Sequence, residues 1–152
     1  MELKEFLIKA KKATYASTGE GGEKVLEDGS KELIFKEATF KYRDRYFGFD
    51  PFVGEEIVWK EDQLIWAMNY YGKIFGEQVP AKEIYTFLKK ALNLVEEKRP
   101  FRGPSELEEG DFKYVDVNNG TLEMFEGKEE IFYKGELVYF LYYHGGFLKT
   151  KN

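Results

Sequence analysis

The feature that most constrains this sequence is an internal repeat. The sequence FKYRD at residues 40–44 returns as FKYVD at residues 112–116, and Phe-x-Gly-x-Glu occurs at residues 52–56 and again at 125–129. Trp66, Tyr70 and Gly72 return as Tyr139, Tyr143 and Gly145, with one residue inserted between the matching blocks. Looking for such self-similarity comes first, because a repeat determines the whole architecture. We therefore predict a duplicated β unit with an approximate internal two-fold.

A segment with helical periodicity precedes each β block. Residues 2–13 and 81–97 place apolar residues at the i, i+3, i+4 and i+7 spacing of an amphipathic helix, with Lys and Glu on the other face. Pro80 stands just before the second segment, where proline can start a helix. The apolar positions are Leu3, Phe6, Leu7 and Ala10 in the first segment, and Ile84, Phe87, Leu88, Ala91 and Val95 in the second.

The remaining chain predicts strands joined by short turns, and short links imply antiparallel pairing. The glycine-containing segment 17–30 is predicted to be a loop, and the proline-flanked segment 99–104 a rigid connector. The sequence thus predicts a single α+β domain, residues 1–152, built from repeats at about 1–76 and 77–148. It is an antiparallel sheet with two helices on one face, internally duplicated as a helix followed by about four strands, twice. The predicted strands are 31–36, 39–47, 55–60, 64–71, 112–117, 121–127, 129–133 and 136–144.

Composition excludes several classes of site. The sequence has no cysteine and a single histidine, His144, so disulfides, thiolate sites and multi-histidine metal sites are excluded, and we expect no cofactor. A carboxylate site for a hard cation stays open. The formal net charge of −5 argues against direct nucleic-acid binding. No apolar run of about 18 residues or signal-peptide pattern is present, so we expect no membrane span and a cytoplasmic protein. The abundance of Lys and Glu is common in heat-adapted proteins.

The second hairpin predicts a face on which one carboxylate lies among apolar side chains. With Lys134-Gly135 as a two-residue turn, alternation places Glu129 on the face of Phe125, Ile131, Phe140, Tyr142 and His144. The repeat places Glu56 likewise, in a hairpin whose register is open by one residue, beside Phe52, Val58, Ala67, Asn69 and Tyr71. The glycine before each Glu is predicted to mark a bulge or a close approach of the backbone.

A carboxylate on an apolar face must be paired, hydrogen-bonded or have a raised pKa. One interpretation is a ligand pocket, where the Glu meets a cationic or hydrogen-bonding group and aromatic rings supply stacking. The other is structural: each Glu is satisfied by backbone N–H groups or by an arginine such as Arg43 or Arg102. Structural ion pairs are common, which favours the second interpretation.

The chain also resembles an uncharacterised prokaryotic domain family of unknown function. The resemblance rests on Tyr42-Arg43-Asp44-x-Tyr46-x-Gly48, on Phe52-x-Gly54-x-Glu56, on residues 66–72 and on the closing Tyr143-His144-Gly145-Gly146. Some members of that family look like C-terminal halves of regulators with an N-terminal helix-turn-helix of the Xre type, which implies a sensor domain. The duplicated layout also looks like the GyrI-type effector-binding domains, which hold amphipathic ligands with aromatic residues and a Glu.

From these patterns we predict a non-enzymatic domain that binds a small amphipathic or cationic ligand. The halves differ at Arg43, Asn69 and Tyr71, which predicts that the first half contributes more to the site. One alternative is a homodimer or structural protein that buries exposed aromatic residues. Another is a hydrolase or isomerase that uses a Glu and His144 as acid and base. The candidate ligand-binding residues are Arg43, Glu56, Asn69, Tyr71, Glu129, Tyr142 and His144.

Overall fold

The computed structural model describes residues 1–14 and 23–151, which form an α+β fold with two helices and a nine-stranded sheet. Helix α1 spans Leu3–Ala13 and helix α2 spans Ala81–Leu92. The strands are β1 Lys24–Val25, β2 Lys31–Glu37, β3 Phe40–Gly48, β4 Phe52–Lys60, β5 Gln63–Ile74, β6 Glu106–Glu109, β7 Phe112–Thr121, β8 Met124–Tyr133 and β9 Glu136–Phe147.

The strand order is β1-β2-β3-β4-β5-β9-β8-β7-β6, and every neighbouring pair is antiparallel. Strands β5 and β9 meet at the centre, so each sheet half consists of strands that follow one another in sequence. The predicted α+β class and antiparallel sheet are confirmed. Residues 17–22 of the predicted loop lie outside the described residues, while Lys24–Val25 of that loop forms a short edge strand.

Helix α2 ends five residues before its predicted end at residue 97. The backbone N–H of Asn93 still donates to the carbonyl of Lys89, four residues earlier. The N–H groups of Leu94 and Val95 donate to the carbonyls of Ala91 and Leu92, only three residues earlier. Val95, the last residue of the apolar pattern, therefore lies in a turn. Asn competes for helix backbone groups and therefore favours helix ends. Val95 is still buried, which explains why its apolar character extended the helical pattern.

Both long hairpins close on two-residue turns, which was predicted for the second hairpin, whereas the predicted strands of the first left three residues, 61–63, between them. Glu61 and Asp62 have φ of 51° and 64°, and Lys134 and Gly135 have φ of 49° and 82°. Positive φ at both central residues is characteristic of the type I′ turn, whose backbone twist matches the twist of the two paired strands. Lys60 pairs with Gln63, and Tyr133 pairs with Glu136, as predicted for the second hairpin.

A β-bulge then shifts the register of each hairpin by one residue. Trp59 pairs with Leu64 but Val58 pairs with Trp66, so Ile65 is the extra residue. In the second hairpin Phe132 pairs with Leu137 but Ile131 pairs with Tyr139. An extra residue on one strand moves every following side chain of that strand to the opposite face of the sheet.

The bulges make the predicted face assignments of β5 and β9 wrong. Glu129 lies opposite Leu141, so Phe140, Tyr142 and His144 are on the other face of the sheet. Glu56 likewise lies opposite Met68, so Ala67, Asn69 and Tyr71 are on the other face. The residues that share a face with the two glutamates are instead Trp66, Met68 and Tyr70 on β5, and Tyr139, Leu141 and Tyr143 on β9.

Both helices pack against the face that carries Glu56 and Glu129, which we call the inner face. Phe6 of α1 stacks on Phe40 with ring centroids 4.8 Å apart, and Phe87 of α2 stacks on Phe112 at 4.9 Å. The opposite side, the outer face, carries the side chains of Arg43, Asn69, Tyr71, Tyr142 and His144. None of the helices in residues 1–14 and 23–151 is long and apolar enough to cross a membrane.

The glycine of each Phe-x-Gly-x-Glu unit lies against a tyrosine ring, as the close-approach prediction states. A Cβ on Gly127 would lie 2.1 Å from Cζ of Tyr143, and one on Gly54 would lie 2.5 Å from the hydroxyl of Tyr70. Gly127 faces Tyr143, and Gly54 faces Tyr70, across neighbouring strands. Each tyrosine side chain therefore occupies the space above the glycine of the neighbouring strand, which the side chain of any other residue would fill.

We predict that Gly127→Ala destabilises the fold by about 2 kcal/mol or more, because the buried Tyr143 ring must move to admit a methyl group. Urea denaturation measures the loss. Gly110→Ala is the control: its φ of 58° imposes backbone strain of only ~1 kcal/mol, and a Cβ there meets nothing within 4 Å. A smaller loss for Gly127→Ala than for Gly110→Ala would contradict the packing argument.

Candidate functional site

The inner face holds a cluster of buried charged side chains, which we call the buried polar cluster. Each of its members is at most 2% exposed, and together they come from α1, β3, β4, β7, β8 and the connector before β6. Charged groups enter a protein interior only when they are paired, hydrogen-bonded or neutralised. The members are Lys11, Asp44, Glu56, Arg102, Asp116 and Glu129.

Glu129 has a complete set of partners. Arg102 donates to it twice, from Nε at 3.1 Å and from Nη2 at 2.5 Å. The hydroxyls of Tyr114 and Tyr139 donate to it at 2.6 and 2.8 Å. Tyr114 in turn accepts the backbone N–H of Gly103 at 3.0 Å, which fixes the connector to β7. The structural interpretation of Glu129, with Arg102 as its partner, is thus the one that the geometry supports.

Glu56 has a different and sparser set of partners. Lys11 of α1 donates from Nζ to its Oε1 at 2.7 Å and to the carbonyl of Phe101 at 2.5 Å. Oε2 of Glu56 has no hydrogen-bond partner among residues 1–14 and 23–151. Burial lowers the pKa of Lys11, and the adjacent Glu56 opposes that effect. The pair fixes α1 both to the sheet and to the connector.

An aspartate lies beside each glutamate on the neighbouring strand. Asp44 pairs across the sheet with Glu56, and Asp116 pairs with Glu129. The hydroxyl of Tyr70 donates to Asp44 at 2.5 Å, and that of Tyr143 donates to Asp116 at 2.8 Å. Burial, followed by the charge of the adjacent glutamate, raises the pKa of each aspartate to about 7. Both aspartates therefore titrate near neutral pH.

A cavity of about 390 Å³ lies between α2 and strands β3–β5, with Asp44 and Arg102 in its lining. Aromatic rings form much of its wall, and several touch one another edge to face: Phe49 and Tyr85 at 5.1 Å, Phe52 and Tyr70 at 5.9 Å. Leu88 and Leu92 of α2 add apolar surface. The volume falls within the range of about 300–1,000 Å³ that is typical of small-molecule sites.

The rim of the cavity is polar. Lys31, Lys82 and Lys89 line it, together with Glu23. Glu23 accepts a hydrogen bond from the hydroxyl of Tyr46 and lies 3.6 Å from Nζ of Lys31. The cavity therefore passes from a charged rim, through an aromatic wall, to the buried Asp44 and Arg102.

The structure divides the residues predicted from the sequence between two faces. Glu56 and Glu129 belong to the buried polar cluster, next to the cavity but not in its lining. The others lie together on the outer face, where Asn69 pairs with His144 and Tyr71 pairs with Tyr142. Arg43 lies on the same face, with its guanidinium 5.4 Å from the Trp59 ring. None of these candidate residues lines the cavity.

Sequence reasoning missed Asp44, Tyr70, Tyr85 and Arg102 as cavity residues. The repeat did contain a signal, because the aspartate of FKYRD and the tyrosine that binds it both recur in the second half. Nothing in the local sequence placed Arg102 or Tyr85, since both reach the cavity through tertiary packing. No group of three or more His, Asp or Glu side chains that could hold a metal ion occurs in the described part of the chain.

We predict that Glu129→Gln destabilises the fold more than Glu56→Gln. The first change leaves Arg102 buried with an uncompensated charge, which costs about 3–5 kcal/mol. The second leaves Lys11, whose pKa is already lowered by burial and which can shed its proton, whereas arginine cannot. Urea denaturation at neutral pH compares the two variants, and an equal or larger loss for Glu56→Gln would refute the prediction.

We also predict that the double variant Asp44→Asn/Asp116→Asn changes the pH dependence of stability. Because the folded pKa values of about 7 exceed the ordinary aspartate pKa of 3.8, these groups stabilise the fold most at acidic pH, and that contribution is lost as pH rises from 3.8 through about 7. Relative to the parent, the double variant should gain on the order of 1–3 kcal/mol between mildly acidic and mildly alkaline pH. The exposed Asp111→Asn serves as the control. Parallel stability curves for parent and double variant would contradict the assignment.

Comparison with known proteins supplies a family but no activity. A family model described as a domain of unknown function, DUF5680, matches residues 44–148, which is most of the chain. That match includes β4, β5, α2 and all strands of the second half, and it includes Asp44, Glu56, Arg102 and Glu129. No curated protein and no solved structure matches the chain. The chain belongs to the family of the domain of unknown function DUF5680.

Proposed function

We propose that this chain is a non-enzymatic domain that binds a small amphipathic ligand in the cavity between α2 and β3–β5. The observation that carries the proposal is the combination of an aromatic wall with two buried charged groups, Asp44 and Arg102, in one space of about 390 Å³. Small-molecule sites are mostly apolar and contain few, convergent polar groups that orient the ligand.

The wall suits a ring or a short alkyl body. Tyr46, Phe49, Phe52, Tyr70 and Tyr85 all contribute to the lining, so a planar ligand meets ring faces and edges on several sides. Tyr85 is held in place by donating its hydroxyl to the carbonyl of Phe49 at 2.5 Å. Rigid aromatic walls lower the entropic cost of binding, because few side chains of the site have to be ordered when a ligand enters.

The polar end of the ligand is best matched by an amine at Asp44. The cations near Asp44 are Arg102 and Lys11, and each is already bonded to a glutamate. Asp44 itself accepts from the Tyr70 hydroxyl, and burial keeps its pKa near 7. A cationic group next to Asp44 would favour the ionised carboxylate and would therefore bind more tightly above pH 7 than below it.

We also propose that the two halves arose by internal duplication, and that only one of the two corresponding positions holds a ligand. If the halves derive from one unit, Asp44 corresponds to Asp116 and Tyr70 to Tyr143. In the second half Phe101 packs against Phe125 at 4.4 Å and against Tyr143 at 6.3 Å, so the corresponding space is occupied by protein. The first half would then hold the ligand, and an effector domain fused to a DNA-binding segment in related chains would sense it.

The alternative functions rest on the outer face. A hydrolase or isomerase that uses His144 needs a carboxylate and a cleft beside it, but His144 is exposed on the sheet face opposite Glu56, Glu129 and the cavity. That separation disfavours catalysis with either glutamate. A homo-oligomeric role is favoured by the aromatic residues that the outer face exposes, including Tyr71 and Tyr142.

We predict that small aromatic amines such as tryptamine raise the melting temperature, while the corresponding neutral alcohols do so less. A ligand that binds only the folded state stabilises it by RT ln(1 + L/Kd), where L is the free ligand concentration. Calorimetry should show tighter binding of the amine above pH 7 than below it. Asp44→Asn should remove most of this pH dependence, because asparagine keeps an acceptor for Tyr70 but cannot ionise.

A blocking variant with a matched control tests the location of the site. Thr86→Trp places an indole at the cavity lining from the exposed side of α2, while Glu83→Trp adds the same group to α2 away from the lining. Binding should be lost in the first variant and kept in the second. The proposal fails if no amine shifts the melting temperature, or if both tryptophan variants bind equally.

A further inference from the structure

The outer face is an open sheet surface with aromatic residues at its centre. Tyr71 and Tyr142 pair across β5 and β9 and are 44% and 56% exposed. Phe47 and Val53 extend the same row across β3 and β4, and Val117 continues it on β7. Both helices pack on the inner face, so no helix of the described residues covers this row. Exposed apolar patches of this kind mark interaction sites.

Charge on the outer face is divided between the two halves of the sheet. Strands β1–β5 place mostly basic residues there, and strands β6–β8 place mostly acidic ones. The basic half carries Lys24, Lys36, Lys41, Arg43, Arg45 and Lys73 against Glu32 and Glu55. The acidic half carries Glu106, Glu108, Glu126 and Glu130 against Lys113 and Lys128.

We propose that the outer face is the interface of a homodimer in which the basic half of each copy packs over the acidic half of the other. A two-fold axis in the plane of the interface can exchange the two halves of the sheet. A second copy of this chain then places its acidic half over the basic half of the first copy, and its basic half over the acidic half. The central tyrosines then meet the tyrosines of the partner. An isologous interface of this kind makes every contact twice.

The size of the face suits a stable dimer. Nine strands spaced ~4.8 Å apart give a width of ~40 Å, and the longer strands span ~30 Å or more at ~3.3 Å per residue. The resulting area of ~1,200 Å² exceeds the ~800 Å² per partner that a standard interface buries. Contact over the central strands and part of both flanks of each copy is therefore sufficient.

Only one class of orientation satisfies the charges. If the axis instead placed like halves over each other, basic residues on β3 would face basic residues of the partner, and acidic residues on β8 would face acidic ones. Like charges brought together at an interface cost several kcal/mol. The charge pattern thus predicts both that the chain pairs with itself and which halves come into contact.

Charge reversal provides a test in which one pair of variants rescues the other. Glu126→Lys/Glu130→Lys reverses the net charge of the acidic half, and Lys36→Glu/Lys41→Glu/Lys73→Glu reverses that of the basic half. Lys36 pairs with Lys41, and Lys41 and Lys73 stand over the rings of Trp59 and Phe75. Each variant alone should lose the dimer, because all of its facing halves repel. Mixed in equal amounts, the two should form a heterodimer, since each reversed half then meets an opposite charge.

Sedimentation and light scattering over a wide concentration range measure the outcome, with circular dichroism to verify folding. The parent should be dimeric at low ionic strength and weaken with added salt. The control Glu83→Lys/Glu97→Lys makes the same change of charge away from the outer face, at exposed positions, and should stay dimeric. Tyr142→Ser, at an exposed position, should weaken the dimer by about tenfold or more.

Three results would overturn the proposal. The first is a parent chain that stays monomeric at every concentration. The second is a dimer that survives either charge reversal, or whose dissociation constant is unchanged by Tyr142→Ser. The third is a pair of folded reversal variants that are monomeric alone and remain monomeric when mixed, because complementary halves are then not in contact.

Discussion

The pairing of two buried glutamates with two cations is the constraint on which the rest of this structure depends. Glu129 meets Arg102 of the connector, and Glu56 meets Lys11 of α1. Removing one partner from a buried pair leaves an uncompensated charge, whereas keeping both requires good geometry and further hydrogen bonds. Helix α1 and the connector can therefore dock on the inner face only where their cations reach these carboxylates, and the carbonyl of Phe101 links the two segments through Lys11.

This docking also explains why the cavity lies on one side of the molecule. The connector that delivers Arg102 also places Phe101 against Phe125 and Tyr143, which fills the inner face beside Asp116. On the other side, Asp44 and Tyr70 form a matching hydrogen-bonded pair, but there they line an open space under α2. Similar polar residues thus have different surroundings, because the connector fills the space beside Asp116 with the Phe101 ring, whereas beside Asp44 it contributes only Arg102 to the lining of an open space.

The sequence was informative about elements and about local backbone chemistry. Periodicity gave both helices, the Lys134-Gly135 turn gave the second hairpin, and the Phe-x-Gly-x-Glu units correctly predicted close approach at Gly54 and Gly127. It failed at the faces of β5 and β9, because the extra residues Ile65 and Val138 are β-branched and look like any other strand residue. A bulge without Gly or Pro has no local signature, so alternation counted from the turn was wrong by one residue. Tertiary contacts such as Arg102–Glu129 were named only as options, since spacing in the chain does not determine which arginine reaches a buried carboxylate.

Strand β5 takes part in both proposed sites, one on each side of the sheet. Tyr70 points into the cavity and Tyr71, the next residue, points to the outer face; on β9 the same alternation separates Tyr143 from Tyr142. Because adjacent side chains of a strand share one backbone, a partner that fixes Tyr71 also restricts the strand that positions Tyr70. If ligand binding and dimerisation are coupled, that coupling is reciprocal in free energy, so a ligand that tightens the dimer must itself bind more tightly to the dimer. Strand β5 is the direct physical route for it, since it carries Tyr70 in the cavity lining and Tyr71 at the centre of the outer face.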